Sequence, residues 1–320
     1  MDAVAVVLNP ASGRGRAAAK QAELARALAA AGLDARFLVS ARPGHATDLA
    51  RDAVRAGYGI VAAAGGDGTV SEVVNGLMAA AVPGQPAGTL ALLPFGSGND
   101  FAANLGVPGA LAGAVDVIAT GSTRRIDVGH VRCHEDGQTI SRYFNNSMGV
   151  GLEAAVTLAS YTVRRLQGLP LYLAAALKTL PRFRAVDLTL TTHDGDGGTW
   201  RRQASTLMVT VGNSPRSGGG FYLTPDARVD DGALDVCVAT DVPVGRRFVL
   251  LPKALRGRHT DDAAVTMLRV TSLHIDAPTG IPVQLDGEVI ARAASRVDVT
   301  LLPASLDVIV PEISQSTHMS

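Results

Sequence analysis

The chain is poor in cysteine, with two in 320 residues, Cys133 and Cys237, far apart and without metal-ligand spacing. That argues against a disulfide framework and fits a reducing compartment. Aromatic residues are only 4% and the formal net charge is zero. Neither a basic face nor a set of stacking platforms for nucleic acid follows from such a composition. No uninterrupted apolar run reaches the ~20 residues that span a bilayer. The opening Met1-Asp2-Ala3-Val4 carries an acid where a secretory leader carries Lys or Arg, and its apolar run is short. A soluble, cytoplasmic globular protein is expected, with 47% apolar residues and length enough for two domains.

What the chain does have is glycine in clusters. In Ala62-Ala-Ala-Gly-Gly-Asp-Gly-Thr-Val-Ser-Glu-Val-Val-Asn-Gly76, three glycines crowd Asp67 and Thr69. Glycine inside an element costs about 0.5–1 kcal/mol relative to alanine. One or two would make a turn; three around an Asp-Thr pair suggest that a ligand approaches the backbone closely.

The surrounding pattern gives such loops a place. Apolar runs at 3–8, 35–40, 59–64 and 89–93 read as strands. Helical patterns follow at 17–31, at 45–56, after the GGDGT motif and after residue 100. Strand–loop–helix repeated four times predicts an α/β fold with a helix-covered parallel sheet. Ligands of such sheets bind at the carboxyl ends of the strands, where the glycine-rich loops fall. From about residue 125 short alternating segments take over, at 126–131, 143–148, 186–192, 206–212, 233–239, 269–275, 283–285 and 296–302. A helical insert covers about 153–180. The expected division is an α/β domain over 1–125, a β-rich, sandwich-like domain over 126–302, and a polar, disordered tail over 314–320.

Three loops carry candidate chemistry. Gly13-x-Gly15-x-x-Ala18 is a loose dinucleotide fingerprint without its closing acid, since the second strand ends in Ser40. It reads as a phosphate site at a helix start or as an ordinary strand-to-helix turn. In Gly65-Gly66-Asp67-Gly68-Thr69, small residues admit phosphate to the amides and Thr69 adds a hydroxyl. Asp67 suits phosphate if Mg²⁺ lies between them; as a helix cap, Asp67 or Thr69 would serve amides ahead of Glu72. Pro94-Phe-Gly-Ser-Gly-Asn-Asp100 repeats the device. Ser97 there suits phosphate or sugar, and Asn99 and Asp100 suit a cap or metal-bound water.

Taken in order, the motifs resemble a family. They are Asn9-Pro-x-Ser12-Gly13, Gly44-His45-Ala46, Gly65-Gly-Asp-Gly-Thr69, Pro94-x-Gly96-Ser97-x-Asn99-Asp100-Phe-Ala102 and Ile126-Asp127-x-Gly129. Further on come Gly212-Asn213, Gly218-Gly-Gly220, Pro225-x-Ala227-x-x-Asp230-Asp231-Gly232-x-Leu234-Asp235 and Asp286-Gly287-Glu288. Over almost the whole chain this resembles the lipid kinases with a diacylglycerol kinase catalytic domain, which include sphingosine kinases. NAD kinases share the GGDG loop and a related fold, but the second loop looks like the lipid-kinase version.

The resemblance implies that the first domain holds ATP, through Asn9, Ser12, Gly13, Ser40, Gly65, Gly66, Asp67, Gly68, Thr69, Glu72 and Ser97. It implies that Asp67, Asp100 and Asp127 hold Mg²⁺ through water, and that residues 303–313 return to the first domain. Asp286 is expected as catalytic base with Glu288 in support, or with the roles exchanged; by themselves Asp286-Gly287 read as a hairpin turn. A structural Mg²⁺ on Asp231 and the carbonyls of Arg228 and Ala233 is implied for some bacterial members, against a plain surface turn. Three departures from the family pattern stand out. Phe101-Ala102-Ala103 replaces Phe-Ala-Arg, Ser97 replaces Thr, and Gly151-Leu152-Glu153-Ala154 replaces Gly-x-Asp-Ala.

Two acid-free stretches bear on the lipid. One holds Arg164, Arg165, Lys178, Arg182 and Arg184 around Leu169–Leu177; the other holds Arg246, Arg247, Lys253, Arg256 and Arg258 around Phe248–Leu251. Alone they read as core-packed helices with solvated basic faces. With the resemblance they suggest transient contact with an anionic membrane surface.

The expectation is an ATP- and Mg²⁺-dependent lipid kinase, converting diacylglycerol to phosphatidic acid and peripheral to the membrane during turnover. Sphingoid bases or phosphatidylglycerol as acceptors, an NAD kinase-like activity and a non-catalytic lipid or nucleotide sensor are the alternatives. A homodimer is left open.

Overall fold

Val4 to Leu8 are fully buried, as happens to a parallel strand with helices on both faces of its sheet. The computed structural model describes residues 3–82, 87–163 and 166–312. Arg164, Arg165 and the 314–320 tail lie outside them. The chain divides into two compact units. The first comprises Met1–Gly96, Ala102–Arg125 and Leu306–Ser320, and the second Ser97–Phe101 and Ile126–Ser305.

The first unit runs β1 (Val4–Leu8), α1 (Arg16–Ala19), α2 (Gln21–Ala30), β2 (Ala35–Val39), α3 (His45–Arg55), β3 (Ile60–Gly65), α4 (Asp67–Ala80) and β4 (Thr89–Pro94). After α5 (Asp100–Asn104) comes α6 (Leu111–Thr120). The strands pair in parallel in the order β2-β1-β3-β4. Leu24 and Leu28 of α2 and Val73, Val74 and Leu77 of α4 are fully buried. The helix expected over 17–31 is broken at Lys20, which caps α1 and opens α2.

The second unit is antiparallel. Its elements are β5 (Ser122–Glu135), β6 (Gln138–Phe144), β7 (Ser147–Gly151), α7 (Leu152–Ser160), α8 (Gly168–Thr179), β8 (Val186–His193) and β9 (Thr199–Gly212). They are followed by β10 (Leu234–Thr240), α9 (Val244–Ala254), β11 (Val265–Val270), β12 (Ser272–Leu285) and β13 (Glu288–Val310). The strand order is β11-β10-β9-β7-β12-β13, with β8 bridging β9 and β12 and with β5 beside β13 and β6. β12 pairs with β8 at Ser272–Asp276 and with β7 at Val283–Leu285, changing neighbour across an irregularity. Alternate residues such as Val209, Val211, Ile281, Val283 and Leu285 fill the core. Two strand expectations miss here. Residues 143–148 break at Asn145-Asn146, and 269–275 straddle the β11–β12 junction at Thr271. The far end of β13 belongs to the first unit, where Asp307 and Val308 pair in parallel with Thr89 and Leu90 of β4.

Candidate active site

In the first unit, three loops meet at the carboxyl ends of β1, β3 and β4. The Asn9 amide donates from β1's end to Ala64 O, and the Phe95 amide from β4's end to Gly65 O. Thr69, in the first turn of α4, is the hub. Asn9 Nδ2 donates to Thr69 Oγ1 at 3.1 Å, and Ser12 Oγ lies 3.4 Å from the same oxygen. Gly65 is required here, because a Cβ on it would lie 2.2 Å from Thr69 Oγ1. The α4 N-cap is Gly66, which brings no capping side chain. Its amides and helix dipole therefore face the loop, an arrangement suited to an anion. Asp67 opens the helix.

Arg16 is a participant that sequence reasoning passed over. Its guanidinium donates to Gly13 O at 3.2 Å, Phe95 O at 3.4 Å and Gly96 O at 3.2 Å, pinning the first loop to the third. Its place beside Gly13 and Gly15 was the available signal.

Two expected nucleotide contacts have other duties. Both oxygens of Glu72 accept amides at the start of α3, from Gly44 at 2.9 Å and Ala46 at 3.0 Å. Glu72 thus caps α3, which accounts for the Gly44-His45-Ala46 motif. Ser40 is buried, and its amide extends the β1–β2 ladder by donating to Leu8 O. Ser97 is exposed and belongs to the second unit, as do Asp100 and Asp127.

In the second unit the acids are held by backbone amides. Asp286 and Gly287 form the two-residue connection between β12 and β13, with φ of +47° and +87°, the conformation of a tight hairpin turn. Asp286 Oδ1 accepts the amides of Asn146 at 3.0 Å and Ser147 at 2.9 Å, and Oδ2 accepts that of Asn145 at 3.2 Å. Glu288, two residues on, is exposed. Asn145 and Asn146, which the alternation of 143–148 places mid-strand, form the link that supplies two of these amides, and Ser147 at the start of β7 supplies the third. Asn213 Nδ2 braces that link by donating to Asn145 O and Asp127 O. Asp100 Oδ2 accepts the Gly219 amide at 2.7 Å, and Arg216 stands 3.6 Å from Oδ1.

The metal expectations divide. Asp67 stands in the first turn of α4 and carries carboxylate oxygens, the ligand type that hard cations prefer. Asp127 is committed elsewhere, since Oδ2 accepts Gly232 N at 2.8 Å and Oδ1 accepts Ala304 N at 2.7 Å. It clasps two turns of the second unit, and its role toward a metal is reduced to spare lone pairs. The structural site at Arg228, Asp231 and Ala233 does not fit a metal ion. Arg269 places its guanidinium 2.6 Å from Asp231 Oδ2, and Oδ1 accepts the Ala233 amide. The local cation is an arginine. Among the described residues no group of three His, Cys, Asp or Glu side chains is spaced to hold a metal ion.

The basic stretches are also partly spent. Arg247 is buried, donating to Val242 O, Leu180 O and Phe183 O and pairing with Asp241. Arg246 and Lys253 both pair with Asp262. Beside them Tyr161, Leu177, Phe248 and Val249 are exposed. No helix among the described residues is long and apolar enough to cross a membrane. Cys133 and Cys237 are free and buried, and burial pushes both thiols up to about 12.

Residues 3–131 match the diacylglycerol kinase catalytic domain, and residues 146–310 match the YegS C-terminal NAD kinase beta sandwich-like domain. A diacylglycerol kinase of Bacillus subtilis (strain 168) is 30% identical over 286 residues, covering 88% of each chain. One from Staphylococcus aureus (strain MRSA252) is 29% identical over 284 residues, 88% of this chain and 85% of that one. The crystal structure of a diacylglycerol kinase from Bacillus anthracis str. Sterne superimposes with a TM-score of 0.71 at 23% identity, covering 97% of both chains. The family match and these relatives define an ATP-dependent lipid kinase of two domains. The chain belongs to the diacylglycerol kinase family.

Proposed function

We propose that the protein transfers the γ-phosphoryl group of ATP to the free hydroxyl of diacylglycerol, forming phosphatidic acid. The observation that carries this reading is the Asp286–Glu288 turn. Asp286 spends both oxygens on three amides, whereas Glu288 is exposed on the same hairpin. We assign the base role to Glu288, the solvent-exposed carboxylate of this turn, which accepts the hydroxyl proton as the oxygen attacks phosphorus, while the buried Asp286 holds the turn. This reverses the expected order of the pair.

On the nucleotide side, Asn9, Ser12, Gly13 and Gly65 to Thr69 receive the phosphates, with Arg16 holding two of the loops together. Asp67 would hold the magnesium that accompanies ATP, and that ion would supply charge neutralisation to the transferring group. The exposed Tyr161, Leu177, Phe248 and Val249 touch the membrane while the acceptor is loaded. Apolar insertion, rather than the ion-paired arginines, supplies most of that contact.

The test is phosphate transfer from labelled ATP with Mg²⁺ to a panel of lipid alcohols in mixed micelles. Diacylglycerol should be the preferred acceptor. Preference for a sphingoid base or for phosphatidylglycerol would replace the substrate and keep the mechanism. Transfer to NAD and to no lipid would overturn the reading.

A further inference from the structure

Glu153 and Gln284 connect the interior of the second unit to the Asp286–Glu288 turn. Glu153 is the second residue of α7. Its carboxyl group accepts hydrogen bonds from Thr210 Oγ1, from Ser217 Oγ at 3.3 Å and from Gln284 Nε2 at 3.0 Å. The far end of the Gln284 amide, Oε1, accepts the backbone N–H of Gly287 at 2.8 Å. Gln284 is buried, 2% exposed. Gly149 leaves the room the carboxyl group occupies, since a Cβ there would lie 2.3 Å from Glu153 Oε2. Burial pushes Glu153 up to about 7, against the three hydrogen bonds, which pull it down.

A glutamine amide has one donor end and one acceptor end. A carboxyl group that accepts from Nε2 leaves Oε1 turned toward Gly287 N–H. With an apolar residue at 153 nothing fixes the amide. Its flipped form sets NH₂ against the Gly287 N–H, donor against donor, and leaves a buried amide unpaired.

We propose that Glu153 is a positioning residue for phosphoryl transfer, acting through Gln284 to fix the turn that aims Glu288 at the acceptor hydroxyl. The inference rests on the kinase reading above, with Glu288 as base. It gives the Gly-x-Glu-Ala departure a meaning, because an Asp at 153, one methylene shorter, draws the carboxyl group back from Gln284. The titratable group facing Glu153 from β10 is the buried Cys237 thiol, itself pushed up by burial and then by Glu153's charge.

The experiment compares full-length wild type with Glu153→Leu, Gln284→Glu and the exchanged pair Glu153→Gln/Gln284→Glu. Glu153→Leu and Gln284→Glu should each lower kcat on the order of 10–100-fold, the scale of a displaced catalytic group, with KM for ATP within about 2-fold. In the exchanged pair the amide now at position 153 donates, and the carboxylate now at position 284 accepts both from it and from Gly287 N–H. There kcat should recover at least about 10-fold over Gln284→Glu alone. The exchange nearly preserves volume, so it carries the test even where Glu153→Leu fails to fold. An exchanged pair no better than Gln284→Glu, or Glu153→Leu at wild-type kcat, overturns the positioning role and leaves the kinase standing. Should wild type phosphorylate no lipid, the kinase reading fails on its own. The relay is then judged by hydrogen exchange at Gly287 N–H. Exchange at least about 10-fold faster in Glu153→Leu than in wild type, with the exchanged pair at the wild-type rate, supports it. Equal exchange in all three overturns it.

Discussion

The two units handle polar groups in opposite ways. In the first, the carboxyl ends of β1, β3 and β4 present small residues, hydroxyls and the uncapped amides of α4. In the second, Asp100, Asp127 and Asp286 are buried and each takes up backbone amides. One unit starts its helix at a glycine without a capping side chain, an arrangement suited to an anion, while the other spends its acids on holding turns. An aspartate in a family motif is therefore no guide to chemistry until its partners are known. Within one hairpin, Asp286 is buried on three amides while Glu288, the proposed base, is exposed.

The largest expected effect sharpens that contrast. Glu288→Gln should reduce kcat roughly 10²–10⁴-fold, the usual span for losing a general base. Its thermal midpoint should fall far less than that of Asp286→Ala. Asp286→Ala should fail differently. It strands the Asn145, Asn146 and Ser147 amides, and buried unpaired donors cost about 1–3 kcal/mol each. Urea unfolding should show a loss of about 3 kcal/mol or more together with lost activity. A turnover defect in Asp286→Ala at full stability would return the base role to Asp286.

A pH effect comes next. Glu153's folded value of about 7 lies above its ordinary 4.5. The folded protein therefore binds that proton more tightly than the unfolded chain. Its contribution is fully present below about pH 4.5, is lost as pH rises to about 7, and does not change above that. At 1.36 kcal/mol per unit the loss is at most about 3 kcal/mol. Urea midpoints measured from pH 5 to 8 should fall with rising pH, and Glu153→Gln should flatten the upper part of the slope. Asp235, which burial raises to about 6, keeps a share of the lower part.

Gly65→Ala tests the donor side. Its Cβ would displace Thr69, and such overpacking costs about 1–3 kcal/mol. KM for ATP should rise about 10-fold with the lipid KM unchanged. The smallest effect separates helix cap from nucleotide contact. Glu72→Gln loses one of two accepted amides and should cost about 1 kcal/mol of stability without altering KM for ATP.

Much of the parallel sheet was legible because strands buried on both faces are unbroken apolar runs. Ala3–Leu8 and Ile60–Ala64 have no polar residue to confuse them. The antiparallel strands were harder to place. A half-buried strand alternates, and alternation continues through a junction such as Thr271 or a link such as Asn145-Asn146. The Asp286-Gly287 turn was readable from its dipeptide, since both positions need positive φ. Its long-range partners were not. The amides that Asp286 accepts lie about 140 positions earlier in the chain, and the Glu153–Gln284 contact spans 131 positions. Nothing local marks such a pair. Glu72 shows the same limit, because its amides at Gly44 and Ala46 precede it by 28 and 26 positions.

The return of β13 to β4 has a consequence for how the protein is made. The first unit is complete only when Asp307 and Val308 reach Thr89 and Leu90. On the ribosome, β1 to β4 emerge early, yet the outer edge of β4 stays unpaired while some two hundred further residues are synthesised. An open edge of apolar strand invites pairing with other chains. The first unit, first to be translated, is thus among the last parts to be finished, and nascent chains stalled before residue 307 are the ones most in need of a chaperone.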